Sequence, residues 1–289
     1  MDAQRARPGQ KGSLSHDHSS DDESLAANGS GCCGWGTHDI EARKVGMGAQ
    51  WAEPGQMGSL SHDQSQHVTD EVFNAASHLM AGMLSILGTA VLVAGASANG
   101  NPWAIVSFSV YGASLCLLFF ASFAHHGLKG SETMMKALRK LDYVAIFFLI
   151  PGTVTPFCLV CLTNTWVGWT FFGACWGIAL VGICMMTMCP LDLPMWASMT
   201  MYITLGWFGA FLAVPAYKCL HFGGVALLGA GGLVYTLGGM IFTLQRPNPF
   251  PGKFGFHEIW HIAVMVGAAL HYSCIFFYVW PKMCGGPCV

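Results

Sequence analysis

From Val72 onward the chain alternates apolar runs of roughly 20 residues with short polar breaks, and between Asp142 and Lys218 the only formal charge is Asp192. Roughly 20 consecutive apolar residues make a helix long enough to cross a bilayer. With no water to bond the backbone, only helices and closed barrels cross the hydrocarbon region. Runs of this length predict an all-α, polytopic bundle of seven transmembrane helices. Its spans fall near Val72–Ala96, Trp103–Ala124, Leu141–Leu162, Val167–Met186, Trp196–Val214, Phe222–Leu244 and Glu258–Trp280. The short breaks imply up-and-down packing of adjacent helices, and Pro151 and Pro156 inside the third span predict a kink there.

Composition supports this reading. Only 10% of the 289 residues are charged, against about 25% in soluble domains. The 36 Gly and 10 Trp suit membrane helices and their interfaces. With 13 Lys and Arg against 15 Asp and Glu, the chain lacks the basic surplus that nucleic-acid binding needs. Most of the cysteines, such as Cys116, Cys175, Cys184 and Cys274, sit singly in apolar stretches, where Cys packs as a small hydrophobe.

Residues 1–67 differ in kind from residues 68–289. The first segment is rich in Ser, Gly, Asp, His and Gln, a composition that buries too little apolar surface to offset ordering entropy, so it is expected to be a disordered tail. It holds a duplicated segment, PGQKGSLSHD at Pro8–Asp17 and PGQMGSLSHD at Pro54–Asp63. Two copies do not make a solenoid. Its histidines His16, His18, His38, His62 and His67 are spaced irregularly and make at most a weak metal site. No cleavable signal peptide is expected at the N-terminus.

The distribution of Lys and Arg sets the expected orientation. With seven spans, Arg5, Arg7, Lys11, Arg43, Lys44, Lys129, Lys136, Arg139, Lys140, Arg246 and Lys253 share one side, and only Lys218 and Lys282 lie on the other. The N-terminus is therefore expected in the cytosol and the C-terminus in an exoplasmic or lumenal space. Cys219, Cys284 and Cys288 fall on the outer side and could pair in an oxidising compartment.

Ionisable groups at membrane depth are costly, so each is a functional candidate. Glu71, Asn74 and His78 start the first span, Ser122, His125 and His126 end the second, Asp142 starts the third, and His257, Glu258 and His261 open the seventh. In an alternating bundle all of these fall near one leaflet. His257 and His261 are four apart, hence on one helical face and about 6 Å apart along the axis. Such a pair can share a metal, and His126 is the candidate third ligand. Three protein ligands with one open position is the catalytic arrangement of zinc, and Asp142 could hold or deprotonate a water there. The plainer reading is that these polar groups bond helices to one another.

Glu71-x-x-Asn74-x-x-x-His78, Ser122-x-x-x-His126, Lys140-Leu141-Asp142, Gly152-Thr153-Val154-Thr155-Pro156-Phe157 and the stretch RPNPFPGKFGFHEIWH from Arg246 to His261 resemble the hemolysin III proteins. These belong with the progestin and adipoQ receptors, adiponectin receptors among them. The resemblance covers about Glu71 to Trp280. It implies a seven-helix bundle with zinc near the cytosolic face, ligated by His126, His257 and His261. Ser122 and Asp142 would then be water-holding or catalytic, and Glu71, Asn74 and His78 would form the first-helix motif. The doubled His125-His126 departs from the pattern, and the Ser-x-x-x-His spacing favours His126. His271 lies nearly three turns deeper than His261 and is expected to pack between helices.

Three functions compete. Zinc hydrolysis of ceramide-like membrane lipid amides follows from the resemblance to adiponectin receptors. A signalling receptor for a lipid or protein ligand would use zinc as a brace. A pore needs polar residues through the full bilayer depth, and here they gather at one leaflet. Membrane lipids are the expected partners in each case.

Overall fold

The computed structural model describes residues 63–188, 193–250 and 253–284. The duplicated segment up to His62, together with His16, His18, His38, Asp192 and Cys288, lies outside the described residues, as do the side chains of His67 and Cys284. The described residues form α1 (Asp63–Ala98), α2 (Pro102–Gly127), α3 (Glu132–Pro156), α4 (Trp166–Met188), α5 (Met195–Ala210), α6 (Tyr217–Leu244) and α7 (Phe256–Cys274). They contain no strand, only an isolated bridge between Phe250 and Phe254.

Six of these helices are long and apolar enough to cross a membrane, within Glu71–Ala98, Pro102–Gly127, Glu132–Cys161, Trp166–Met188, Tyr217–Leu244 and Phe256–Met283. The chain is an integral, multi-pass helical membrane protein. Helix α5 has 16 residues, followed by a 3-10 turn at Phe211–Ala213. By itself it is shorter than the expected fifth span. The outward side chains fit a lipid solvent: Met80, Leu84, Leu87, Val181, Leu233 and Leu237 are all exposed.

Chain neighbours pack on one another from α1 through α7, and α7 returns to α1, closing the ring. Two close approaches depend on glycine. A Cβ on Gly112 would lie 2.2 Å from Thr89 of α1, and one on Gly152 would lie 2.2 Å from Ser114 of α2. The core these contacts surround includes Phe108, Tyr111, Leu115, Leu118, Phe157 and Ile275.

Several boundaries differ from the hydropathy pattern. Helix α3 starts nine residues before Leu141, because the Ser131 side chain caps Met134 N–H and Glu132 pairs with Lys136 one turn on. Lys136, Arg139 and Lys140, expected in a loop, therefore ride on a helix, while Lys129 stays between α2 and α3. Helix α6 starts at Tyr217, with His221 in the left-handed region (φ 49) where the helix breaks its regular path. After Pro156, which has no N–H to bond the preceding turn, α3 gives way to a π-helical turn over Phe157–Cys161.

The cysteine expectation is corrected in part. Cys219 pairs with Cys161 at the end of the third span, with Cα atoms 5.7 Å apart, and not with Cys284 or Cys288. Cys161 is 58 residues away in sequence, and only the closing of the bundle brings it near. Cys175 and Cys274 are buried as expected, Cys116 is half-buried, and Cys184 is exposed on α4.

Candidate metal centre

The N-terminal turns of α7 present two imidazoles in line. Gly255 N–H donates to Glu258 Oε2 at 2.7 Å, and Phe256 N–H donates to Asn248 Oδ1 at 3.1 Å, so the first turn is capped. The second carboxylate oxygen of Glu258 accepts from Asn74 Nδ2 of α1 at 3.2 Å. Buried carboxylates need such partners, and here they also fix the start of α7 against α1. His257 and His261 follow with ring centroids 5.0 Å apart and near-parallel planes (25°). Phe242 of α6 meets His257 edge-on.

The last turn of α2 supplies the third ring. His126 lies with its centroid 5.0 Å from His257 and 4.8 Å from His261. Its side chain is 3% exposed, and its Nδ1 meets Glu71 Oε2 of α1 at 2.5 Å. With Nδ1 committed to a carboxylate, Nε2 is the nitrogen left for a metal. This carboxylate–imidazole pairing is the usual support of a metal-bound histidine. The ligand atoms of His126, His257 and His261 all lie within 4.8 Å of one another.

These residues fit a metal ion. Three imidazoles form a nitrogen donor set suited to zinc. His261 Nδ1 is buried and has no hydrogen-bond partner within the chain, an unmet polar atom of the kind that marks a site needing something more. The buried group could hold one ion. A second grouping, His125, His126 and Asp142, has the same 4.8 Å spread. His126 belongs to both groups and His125 only to the second. Asp142 stands beside His126, where the Ser122 side chain hydrogen-bonds its carboxyl group.

All the polar groups expected near one leaflet therefore meet at one end of the bundle. His78 packs on His261 with centroids 4.0 Å apart, and Asn74 serves Glu258. His271 bonds Leu228 O at 3.1 Å through Nε2, the packing role expected of it.

One feature of the site was not legible beforehand. His126, Asp142 and His257 line an apolar cavity that runs on between α3, α5, α6 and α7, past Leu149, Val154, Tyr202 and Val264. Gly206 of α5 with Gly229 and Gly232 of α6 line it too, and a Cβ built on any of the three would meet nothing within 4 Å. Trp207 Nε1–H crosses from α5 to donate to Thr236 Oγ1 of α6 at 3.0 Å. The Gly-rich run of α6 was a visible signal, but it did not say which glycines face open space.

The profile of the family described as Haemolysin-III related matches residues 66–272. The chain belongs to the haemolysin-III family. Its similarity to Hemolysin-3 of Bacillus cereus is 36% identity over 217 residues, which is 75% of this chain and 95% of that protein. The monocyte to macrophage differentiation factor of Homo sapiens is 25% identical over 219 residues, covering 72% of this chain and 83% of its own length. The adiponectin receptor protein of Drosophila melanogaster is 29% identical over 239 residues, covering 72% and 50% respectively. The resemblance read from the first-helix motif through the Arg246–His261 stretch is thus confirmed at the level of family. The matched residues contain every member of the histidine cluster.

Proposed function

We propose that this haemolysin-III family member is a zinc-dependent hydrolase of membrane lipid amides of the ceramide type. The observation that carries the reading is that three convergent imidazoles and an Asp–Ser pair stand on the wall of one apolar cavity inside the bundle. Polar chemistry at the mouth of an apolar slot suits a substrate with a polar amide head and a hydrocarbon tail.

A zinc ion held by His126, His257 and His261 would supply Lewis acidity and lower the pKa of water to about 7. The chain's own residues do the rest. Asp142 takes the proton of the attacking water on its carboxylate, and the Ser122 hydroxyl steadies that carboxylate. Glu71 holds the His126 ring through Nδ1, and the Glu258–Asn74 pair holds the start of α7. The apolar wall from Leu149 to Val264 takes the acyl chain and keeps bulk water out. In this reading α5 with its 3-10 extension completes seven spans, and the histidine end faces the cytosol. The Cys161–Cys219 end then faces the oxidising side.

The test is release of fatty acid from a panel of ceramides by purified, zinc-loaded protein. Turnover that disappears in Asp142→Asn supports the reading. No hydrolysis across the panel overturns it.

A second reading, a receptor in which zinc braces the bundle, is favoured by one observation. The three ligands come from α2 and α7, which share few other contacts. Metal removal would then loosen the bundle with no turnover to lose. A pore has no comparable support, because the clustered histidines and carboxylates sit at one end.

A further inference from the structure

His78 of α1 lines the cavity beside the histidine triad and is 3% exposed. Its ring is held from two sides, edge-on against Phe119 (centroids 5.2 Å, 86°) and tilted against His261 (4.0 Å, 42°). Neither of its ring nitrogens makes a well-formed hydrogen bond within the chain, the nearest backbone group being that of His261. A neutral imidazole carries one N–H donor and one acceptor, and leaving both unmet in a buried place is costly.

Other buried side chains nearby, such as Asn74 and His261, leave one polar atom unmet, but among the described residues only His78 leaves both ring nitrogens so. Asn74, one turn earlier on α1, donates to Glu258. Ser77 and Ser85 bond the backbone oxygens of Asn74 and Ala81. Thr153 and Thr155 bond Leu149 O and Pro151 O, and His271, further along the same cavity, bonds Leu228 O. His78 also belongs to neither group of side chains able to share a metal. It is a buried, oriented donor–acceptor pair that lines the cavity, stands outside the groups able to share a metal, and makes no well-formed hydrogen bond to the fold.

We propose that His78 is a substrate-binding residue that holds the polar head of the lipid. Its N–H donates to the carbonyl oxygen of the amide, and its other nitrogen, pointing away, accepts from a hydroxyl of the same polar head. An amide carbonyl with a hydroxyl beside it offers one acceptor and one donor, the complement of a neutral imidazole. The contact would set the carbonyl next to the triad and leave the acyl chain to run toward Gly229 and Gly232. This inference rests on the lipid-amide reading of the cavity.

The experiment measures zinc content and binding of dodecanohydroxamic acid, an amide-like head on a twelve-carbon chain, by the full-length zinc-loaded protein in detergent. His78→Phe and His78→Leu keep an apolar side chain of similar bulk against Phe119 and remove both hydrogen bonds, whereas His78→Gln keeps a donor and an acceptor. The expected result is unchanged zinc in all variants, about tenfold weaker probe binding in the Phe and Leu variants, and binding near wild type in Gln. Either apolar variant decides the matter if the other fails to fold. Wild-type affinity in a folded apolar variant overturns the proposal, as does loss of zinc, which would make His78 part of the metal site. A zinc-loaded wild type that does not bind the probe overturns the lipid-amide reading itself, and this inference with it.

Discussion

The carboxylate of Glu71 on α1 meets Nδ1 of His126 on α2, and this one contact gives the first-helix motif a role that its spacing does not disclose. The pair lies 55 residues apart in sequence. It fixes which nitrogen of His126 is free to face His257 and His261. Helix α1 thus supports the centre twice, through Glu71 under His126 and through Asn74 under Glu258.

Removing the support should weaken the metal without abolishing the site. Glu71→Ala is expected to lower zinc affinity by about 10–100-fold, the usual cost of losing the partner behind a metal-bound histidine. Competition with a calibrated chelator measures it. His125→Ala should leave affinity near wild type, and His126→Ala should abolish stoichiometric binding. The reverse pattern would assign the α2 ligand to His125.

Asp142 and Ser122 should separate chemistry from metal binding. Asp142→Asn is expected to lower ceramide turnover by about 10²–10⁴-fold, the range for a lost general base, with zinc retained. Ser122→Ala removes one hydrogen bond from the carboxyl group and should cost about tenfold. Turnover and metal content measured on the same preparations check both. Loss of zinc in Asp142→Asn would make the aspartate a ligand.

The open space at Gly232 should be functional. Gly232→Leu puts a side chain into the cavity, where a Cβ meets no neighbour. It should reduce turnover of long-chain lipid amides more than short-chain ones and leave zinc content unchanged. Gly173→Leu is the control, because Gly173 of α4 also faces open space but does not line the cavity. Equal losses in both variants would contradict a tail-binding role for this slot.

The Cys161–Cys219 bond joins the end of the third span to the start of α6. Cys161→Ser should lower stability by about 2–4 kcal/mol, read as a lower midpoint in thermal unfolding, and reductant should do the same to the wild type. Cys116→Ser, at a free thiol, should change little.

What could be read in the sequence was whatever depends on local pattern. Apolar runs located most of the spans, and alternation of direction brought Glu71, His126, Asp142 and His257 to one end before any contact was known. The i, i+4 spacing of His257 and His261 gave their shared face. What could not be read depends on which helices touch. The Asn74–Glu258 bond joins residues 184 apart, and the Cys161–Cys219 pair joins residues 58 apart. The cavity is a property of gaps, and hydropathy cannot distinguish a glycine at a close contact, such as Gly112, from one facing a void, such as Gly232. Helix boundaries moved where capping outweighed hydropathy: Ser131 extended α3 through a basic stretch that reads as a loop.

Metal content of the purified protein, wild type against the double variant His257→Ala with His261→Ala, tests the metal centre most directly. One zinc per chain in the wild type and none in the folded double variant is the expected result. Zinc retained at the wild-type level in the double variant, or a metal-free wild type after purification in zinc-containing buffer, would contradict it.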